Sequence, residues 1–137
     1  MNEEIGVDDG LQMLFKMQEV LQNNYGYNFE NMSQRDILDY LFFNNHSLHM
    51  EASECGNEFS WKPWATAEFV NRDALIGELV DVAKFMLNML LAVGCTSSEF
   101  MEKFVLKTAI NYARQQNGYT GLEKDENGRA LDDPSAA

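Results

Sequence analysis

The stretch that most constrains the fold is ALIGELVDVAKFMLNMLLAV, residues 74–93, because it is apolar on almost every side of a helix. A helix of that kind is stable when surrounding protein covers most of its surface. Its polar side chains share a sector of about 120°, and they are Glu78, Asp81, Lys84 and Asn88. The stretch therefore predicts an enclosed helix with one polar strip.

The first two helical segments carry apolar residues at helical spacing and predict amphipathic helices. A fourth helix is predicted to open at Thr96, with Glu99 three positions later as its capping partner. Ser33 with Asp36 three positions later predicts a side-chain cap, and Gly94 predicts a helix C-terminus. No stretch of useful length shows the two-residue period of a strand. The sequence therefore predicts an all-α bundle of four main helices, with these approximate limits: Asp9 to Asn24, Ser33 to Gly56, Arg72 to Val93, and Thr96 to Gln116.

Length and composition favour a single globular domain. The chain has 137 residues, of which 45% are hydrophobic. We expect a flexible N-terminus over residues 1–8, a helical domain over 9–119 and a polar, mobile tail over 120–137. The acidic N-terminal sequence does not resemble a secretory signal. Because no apolar run reaches the length of a membrane span, and cysteines stand only at positions 55 and 95, we expect a reduced, cytoplasmic protein.

The charge balance narrows the class of ligand. The formal net charge is −12, so the chain lacks the surplus of Lys and Arg that binds nucleic acid through phosphate contacts. We therefore expect no nucleic-acid partner. A small polyanion stays possible, because divalent cations can bridge protein carboxylates to the phosphates of a ligand.

Two pairs of carboxylates stand out. Glu51 and Glu54 lie one turn apart at the edge of the second helix, and Glu78 and Asp81 lie one turn apart on the third. A single pair of this kind is most often solvated surface. Two pairs facing one cleft repel each other unless a cation neutralises them. Hard oxygen ligands suit Mg²⁺, with Mn²⁺ as a substitute.

Three further stretches carry a resemblance to a known family. "MLFKMQEVLQNN" resembles the first motif of dimeric dUTPases, and "SWKPW" resembles the tryptophan-lysine loop of those enzymes and of dCTPases from tailed phages. "LKTAINYARQQNGY", residues 106–119, resembles their last motif. With the two acidic pairs, these motifs resemble the all-α nucleoside triphosphate pyrophosphatases, the MazG-like group, over about residues 11–119.

The resemblance implies a role for each matching residue. The metal ligands and catalytic carboxylates would be Glu51, Glu54, Glu78 and Asp81. The substrate-binding residues fall into three groups: Gln18 and Gln22 at the base; Trp61, Lys62 and Trp64 in the loop; and Lys107, Asn111, Arg114 and Tyr119 at the phosphates and sugar.

The implied function is Mg²⁺-dependent hydrolysis of dUTP to dUMP and pyrophosphate by a homodimer in the cytoplasm, or in the host cytoplasm if the protein is viral. Gln22 stands where dimeric dUTPases tend to carry Asn and phage dCTPases tend to carry Gln. A dCTP pyrophosphatase, or one that acts on both nucleotides or another dNTP, is therefore the nearest alternative. An alternative of another class is a non-catalytic helical dimer that binds nucleotide.

Overall fold

The computed structural model describes residues 7–118, with side chains from residue 10 onward, and its regular structure is helical. Four α-helices follow one another along the chain. They are α1 (Val7–Asn24), α2 (Gln34–Cys55), α3 (Arg72–Ala92) and α4 (Ser97–Gln116), with a 3-10 turn at Phe29–Asn31. The predicted all-α class and the four main helices are confirmed. The first helix begins at Val7, two residues before the predicted limit.

Local signals set the helix ends where the sequence predicted them. The Ser33 hydroxyl accepts a hydrogen bond from the Asp36 backbone N–H at 3.1 Å, and the Asp36 carboxylate accepts one from the Ser33 N–H at 3.2 Å. This reciprocal cap satisfies N–H groups that the first turn of a helix leaves unpaired. Gly94 ends α3 with a φ of +72°, a left-handed conformation that glycine adopts without steric cost.

The described chain forms two compact units. In the first, up to Ser97, α2 packs along α3 and α1 also contacts α3. Its buried apolar residues are Phe15, Tyr40, Cys55, Leu87 and Ala92. The second unit starts at Ser98 and contains α4, where Ile110 is the buried apolar side chain among the residues described.

The expectation that the third helix is enclosed by protein is not met by a single chain. Ile76, Leu79, Val80 and Met86 of α3 are between 37% and 50% exposed. Their spacing places them in one stripe along the helix. On α1, four apolar side chains are also exposed, namely Met13, Leu14, Met17 and Val20. Exposed apolar side chains in a stripe along a helix are typical of a surface on which another protein packs.

Two other expectations concern the ends of the chain and membranes. The N-terminal segment before Val7 and the 120–137 tail lie outside the described residues, so their predicted mobility stays a prediction. Within residues 7–118, no single helix is long and apolar enough to cross a membrane, although α3 and α4 taken together have that length and composition.

Candidate metal and nucleotide site

Three carboxylates meet where the C-terminal part of α2 runs beside the N-terminal part of α3. An oxygen from each of Glu51, Glu54 and Glu78 lies within 4.8 Å of the other two. Glu51 and Glu78 are half-buried, and Glu54 is exposed. The structure thus brings together three of the four predicted ligands. Asp81 is exposed and stands outside this group, although its charge reaches Glu51 and Glu78.

The proximity of these groups alters their ionisation. Burial, followed by the charge of Glu54, raises the pKa of the Glu51 carboxyl. The same two causes, with Asp81 and Glu58 adding to them, raise the pKa of the Glu78 carboxyl. A raised pKa means that the negative form of each carboxyl is disfavoured in the folded chain. Among residues 10–118, whose side chains the structure describes, no Lys or Arg forms an ion pair with the cluster. A divalent cation fits this donor set.

The raised pKa values predict how the stability of the metal-free protein depends on pH. Between the ordinary value of 4.5 and the raised folded values, the folded state binds more protons than the unfolded state. Stability therefore falls as pH rises through that window. We expect Glu51→Gln to be more stable than wild type at pH 7 in EDTA, and the difference to close near pH 4.

Urea unfolding of both proteins between pH 4 and 8 measures this effect. Adding Mg²⁺ at pH 7 should stabilise the wild type more than the variant, because the cation replaces the missing counter-charge. Parallel pH profiles for the two proteins would show that Glu51 carries no such repulsion.

A closed loop joins the two halves of the carboxylate cluster. Phe59 and Val70 form an antiparallel bridge, and the Asn71 N–H donates to the Glu58 carbonyl at 2.7 Å. The Asn71 amide also donates to the Glu58 carboxylate at 3.2 Å. These bonds tie the end of α2 to the start of α3, and they hold the intervening loop as a unit.

The predicted aromatic residues lie at the tip of that loop. The rings of Trp61 and Trp64 meet edge to face at 5.9 Å, and the Lys62 ammonium lies 5.9 Å from the centre of the Trp61 ring. Trp61 is 57% exposed. The loop borders a cavity of about 290 Å³, lined in part by Trp61, Lys62 and Phe69. An exposed, pre-formed aromatic pair is suited to stacking on a flat ligand.

The two predicted base-reading glutamines are buried, at 5% exposure for Gln18 and 7% for Gln22. The Gln18 Nε2 donates to the Asn88 Oδ1 at 2.7 Å, and the Tyr40 hydroxyl donates to the Gln22 Oε1 at 2.7 Å. Burial raises the pKa of Tyr40, so the hydroxyl stays protonated and able to donate. Both amides are therefore held by other side chains of the first unit.

The remaining predicted residues lie on or after α4. Lys107 and Asn111 are exposed and Arg114 is half-buried. Their spacing of four and three residues places them along one face of that helix. Tyr119 lies outside the described residues. The role predicted for this group at the phosphates stays a prediction.

Two buried amides, those of Asn44 and Asn88, have no role predicted from the sequence. Asn44 is 1% exposed and Asn88 is 4% exposed, and the Asn88 Nδ2 donates to the Asn44 Oδ1 at 2.8 Å. Asn88 carried a signal, because it is a polar residue on the apolar third helix. Asn44 carried none, since an asparagine in a polar stretch of helix is usually solvated.

Comparison with known proteins identifies the family. Over 42 residues, 31% of this chain, the sequence is 43% identical to the dCTP pyrophosphatase of Enterobacteria phage T4, and the match spans 25% of the phage protein. No solved structure matches the chain. The sequence model of the dUTPase family matches residues 10–103, which include both carboxylate pairs, both glutamines and the tryptophan loop. The chain therefore belongs to the dUTPase family.

Proposed function

We propose that the protein is a Mg²⁺-dependent nucleotide pyrophosphohydrolase that converts dUTP to dUMP and pyrophosphate. The observation that carries the proposal is the meeting of Glu51, Glu54 and Glu78 within 4.8 Å, in a chain of the dUTPase family. Removal of dUTP from the nucleotide pool is the cellular role that this chemistry would serve.

The carboxylates that would hold the metal are Glu51, Glu54 and Glu78, with Asp81 as the fourth ligand. Their hard oxygen donors and their unneutralised charge fit Mg²⁺. Mg²⁺ bound there would neutralise the phosphates of the substrate and lower the pKa of a coordinated water.

The protein's own groups position the substrate and accept the proton. Glu51 or Glu54 would orient the attacking water and take its proton as the oxygen bonds to phosphorus. As the water oxygen bonds to the α- or β-phosphorus, the P–O bond between that phosphorus and the bridging oxygen breaks, and dUMP and pyrophosphate leave. Trp61 and Trp64 would cover the base or sugar, while Lys62 lies in the same loop as a cation for the phosphates. Lys107, Asn111, Arg114 and Tyr119 would bind phosphate and sugar.

The base preference has one close alternative. The relative that matches over 42 residues is a dCTP pyrophosphatase, and Gln22 stands at the position where phage dCTPases tend to carry Gln. A glutamine amide both donates and accepts hydrogen bonds, so it suits either pyrimidine. We therefore keep dCTP, alone or together with dUTP, as the second candidate substrate.

The decisive experiment measures pyrophosphate release from the eight common NTPs and dNTPs, with and without Mg²⁺. We expect Mg²⁺-dependent release from dUTP. Equal release from dCTP would establish dual specificity. Folded, Mg²⁺-loaded protein that binds dUTP without releasing pyrophosphate would instead be the non-catalytic nucleotide-binding dimer.

We propose a homodimer as the active form, and the exposed apolar stripe of α3 supports it. Leu79 in this stripe is 50% exposed. A second copy of the chain that packs on the stripe would remove the apolar area of Leu79 and its neighbours from water. Sedimentation equilibrium should give a mass of about twice 15.7 kDa. Val80→Asp places a charge in the stripe, so we expect the dimer dissociation constant to rise roughly a hundredfold.

Asn45→Asp is the matched control, because it adds the same charge at an exposed position of α2. It should leave the mass unchanged. A wild-type protein that sediments as a monomer, or a Val80→Asp protein that dimerises as tightly as the wild type, would contradict this interface. Circular dichroism confirms that each variant keeps its helical content.

A further inference from the structure

A chain of buried hydrogen bonds connects the backbone of α2 to the first predicted base-reading residue. The Asn44 Nδ2 donates to the Tyr40 carbonyl at 2.8 Å. The Asn88 Nδ2 donates to the Asn44 Oδ1 at 2.8 Å, and the Gln18 Nε2 donates to the Asn88 Oδ1 at 2.7 Å. We call these three bonds the amide relay. It spans α1, α2 and α3.

The anchor of the amide relay sets its direction. A backbone carbonyl only accepts hydrogen bonds, so Asn44 must turn its NH₂ group toward Tyr40 and its oxygen toward Asn88. Asn88 must then turn its NH₂ group toward Asn44 and its oxygen toward Gln18. The Gln18 amide follows with its NH₂ group toward Asn88. The three bonds of the relay therefore use the NH₂ group of Gln18 and leave its oxygen outside the relay.

Reversing any one amide is costly inside this network. A flipped Asn44 would place two oxygens against each other at the Tyr40 carbonyl, in a site where Asn44 is 1% exposed. Buried polar groups without partners are strongly disfavoured, because water is not there to replace the lost bond. The orientation of Gln18 is thus set directly by Asn88, which accepts its hydrogen bond, and indirectly by Asn44 and the Tyr40 carbonyl, which fix the orientation of Asn88.

The amide relay is placed suitably for a nucleotide. Asn44 stands ten residues before Glu54, and Asn88 stands ten residues after Glu78. Since Asn44 bonds to Asn88 and Glu54 meets Glu78, α2 and α3 run antiparallel with both contacts in one register. At a rise of 1.5 Å per residue, the relay lies about 15 Å along the helix pair from the Glu54–Glu78 contact. That span is comparable with the separation of base and terminal phosphates in a nucleotide.

We propose that Asn44 and Asn88 are positioning residues for base recognition: they hold the Gln18 amide with its oxygen free to accept a hydrogen bond from an N–H group on the edge of a pyrimidine. This proposal rests on the proposed function, since it requires a nucleotide with its phosphates at the carboxylate cluster. Uracil offers such a donor at its ring N–H, and cytosine offers one at its amino group.

Binding measurements with two non-hydrolysable probes test the proposal. One is the α,β-imido analogue of dUTP or dCTP, whichever binds more tightly, and the other is the α,β-imido triphosphate of 1,2-dideoxyribose, which lacks a base. In Asn88→Ala, we expect affinity for the first probe to fall roughly tenfold, the scale of one hydrogen bond. Affinity for the baseless probe should stay close to wild type.

Leu87→Ala is the matched control. Leu87 is 7% exposed and lies next to Asn88 on α3, so its loss weakens packing without touching the relay. The ratio of the two affinities should be unchanged in this variant. A folded Asn88→Ala that keeps the wild-type ratio overturns the proposal.

A second measurement needs no nucleotide. In the ¹⁵N spectrum of the wild type, the side-chain NH₂ of Gln18 should exchange slowly with D₂O. In Asn44→Ala it should exchange faster, because Asn44 is linked to Gln18 through Asn88. Fast exchange in the wild type overturns the relay. If the wild type releases pyrophosphate but Asn88→Ala keeps the wild-type ratio of the two probe affinities, the relay proposal is wrong and the proposed function stands. If Asn88→Ala lowers that ratio but the wild type releases no pyrophosphate, the hydrolase proposal is wrong and the relay stands.

Discussion

Replacing Glu78 with alanine should lower Mg²⁺-dependent pyrophosphate release by a hundredfold or more. Glu78 is half-buried and supplies the α3 member of the carboxylate cluster. Without it, Glu51 and Glu54 on α2 stay together, but α3 contributes only the more distant Asp81. Losing metal-assisted stabilisation of the transition state costs several kcal/mol, and each ~1.4 kcal/mol corresponds to a factor of ten in rate.

Asp73→Ala is the matched control, since Asp73 lies on the same helix and its side chain is 98% exposed. It should retain wild-type turnover. The Mg²⁺ dependence of the residual rate provides a further readout, because Glu78→Ala should need a higher Mg²⁺ concentration for half-maximal activity. Full activity of Glu78→Ala at wild-type Mg²⁺ concentrations would show that the cluster is not the metal site.

Replacing Asn44 with alanine should destabilise the fold by about 3 kcal/mol. The side chain is 1% exposed and takes part in two hydrogen bonds, one to the Tyr40 carbonyl and one from Asn88. The substitution removes both bonds and leaves the buried Asn88 NH₂ without its acceptor. Losses of this kind cost ~1–3 kcal/mol for each unsatisfied group. For a domain of this size, the melting temperature should fall by about 10 °C.

The measurement is urea unfolding followed by circular dichroism, at equal protein concentration because dimerisation contributes to stability. Asn45→Ala is the control: it removes the same side chain at the next position of α2, which is exposed. Its effect should be within about 0.5 kcal/mol of wild type. Equal stability of the two variants would mean that the relay adds nothing to the fold.

Much of the fold could be predicted from the sequence because local interactions determine it. The Ser33 and Asp36 cap involves residues three positions apart, and Gly94 ends a helix through its own backbone freedom. Patterns within single segments, either apolar residues or capping pairs, predicted all four helices. The carboxylate pairs were predictable for the same reason, since one turn of helix brings Glu51 beside Glu54. The tryptophan loop was predictable from Pro63, which interrupts a helix.

The tertiary structure decided what depends on contacts between helices. In the structure, Glu78 lies close to Glu51 and Glu54, whereas Asp81, the other member of its pair, lies outside the group. It placed Gln18 and Gln22 inside while Met17 and Val20 stay exposed, an outcome that helical spacing alone did not predict. The partner of Gln18 is seventy residues away along the chain. Side-chain periodicity describes one helix at a time, whereas burial and hydrogen-bond direction depend on which helices pack together and in which register.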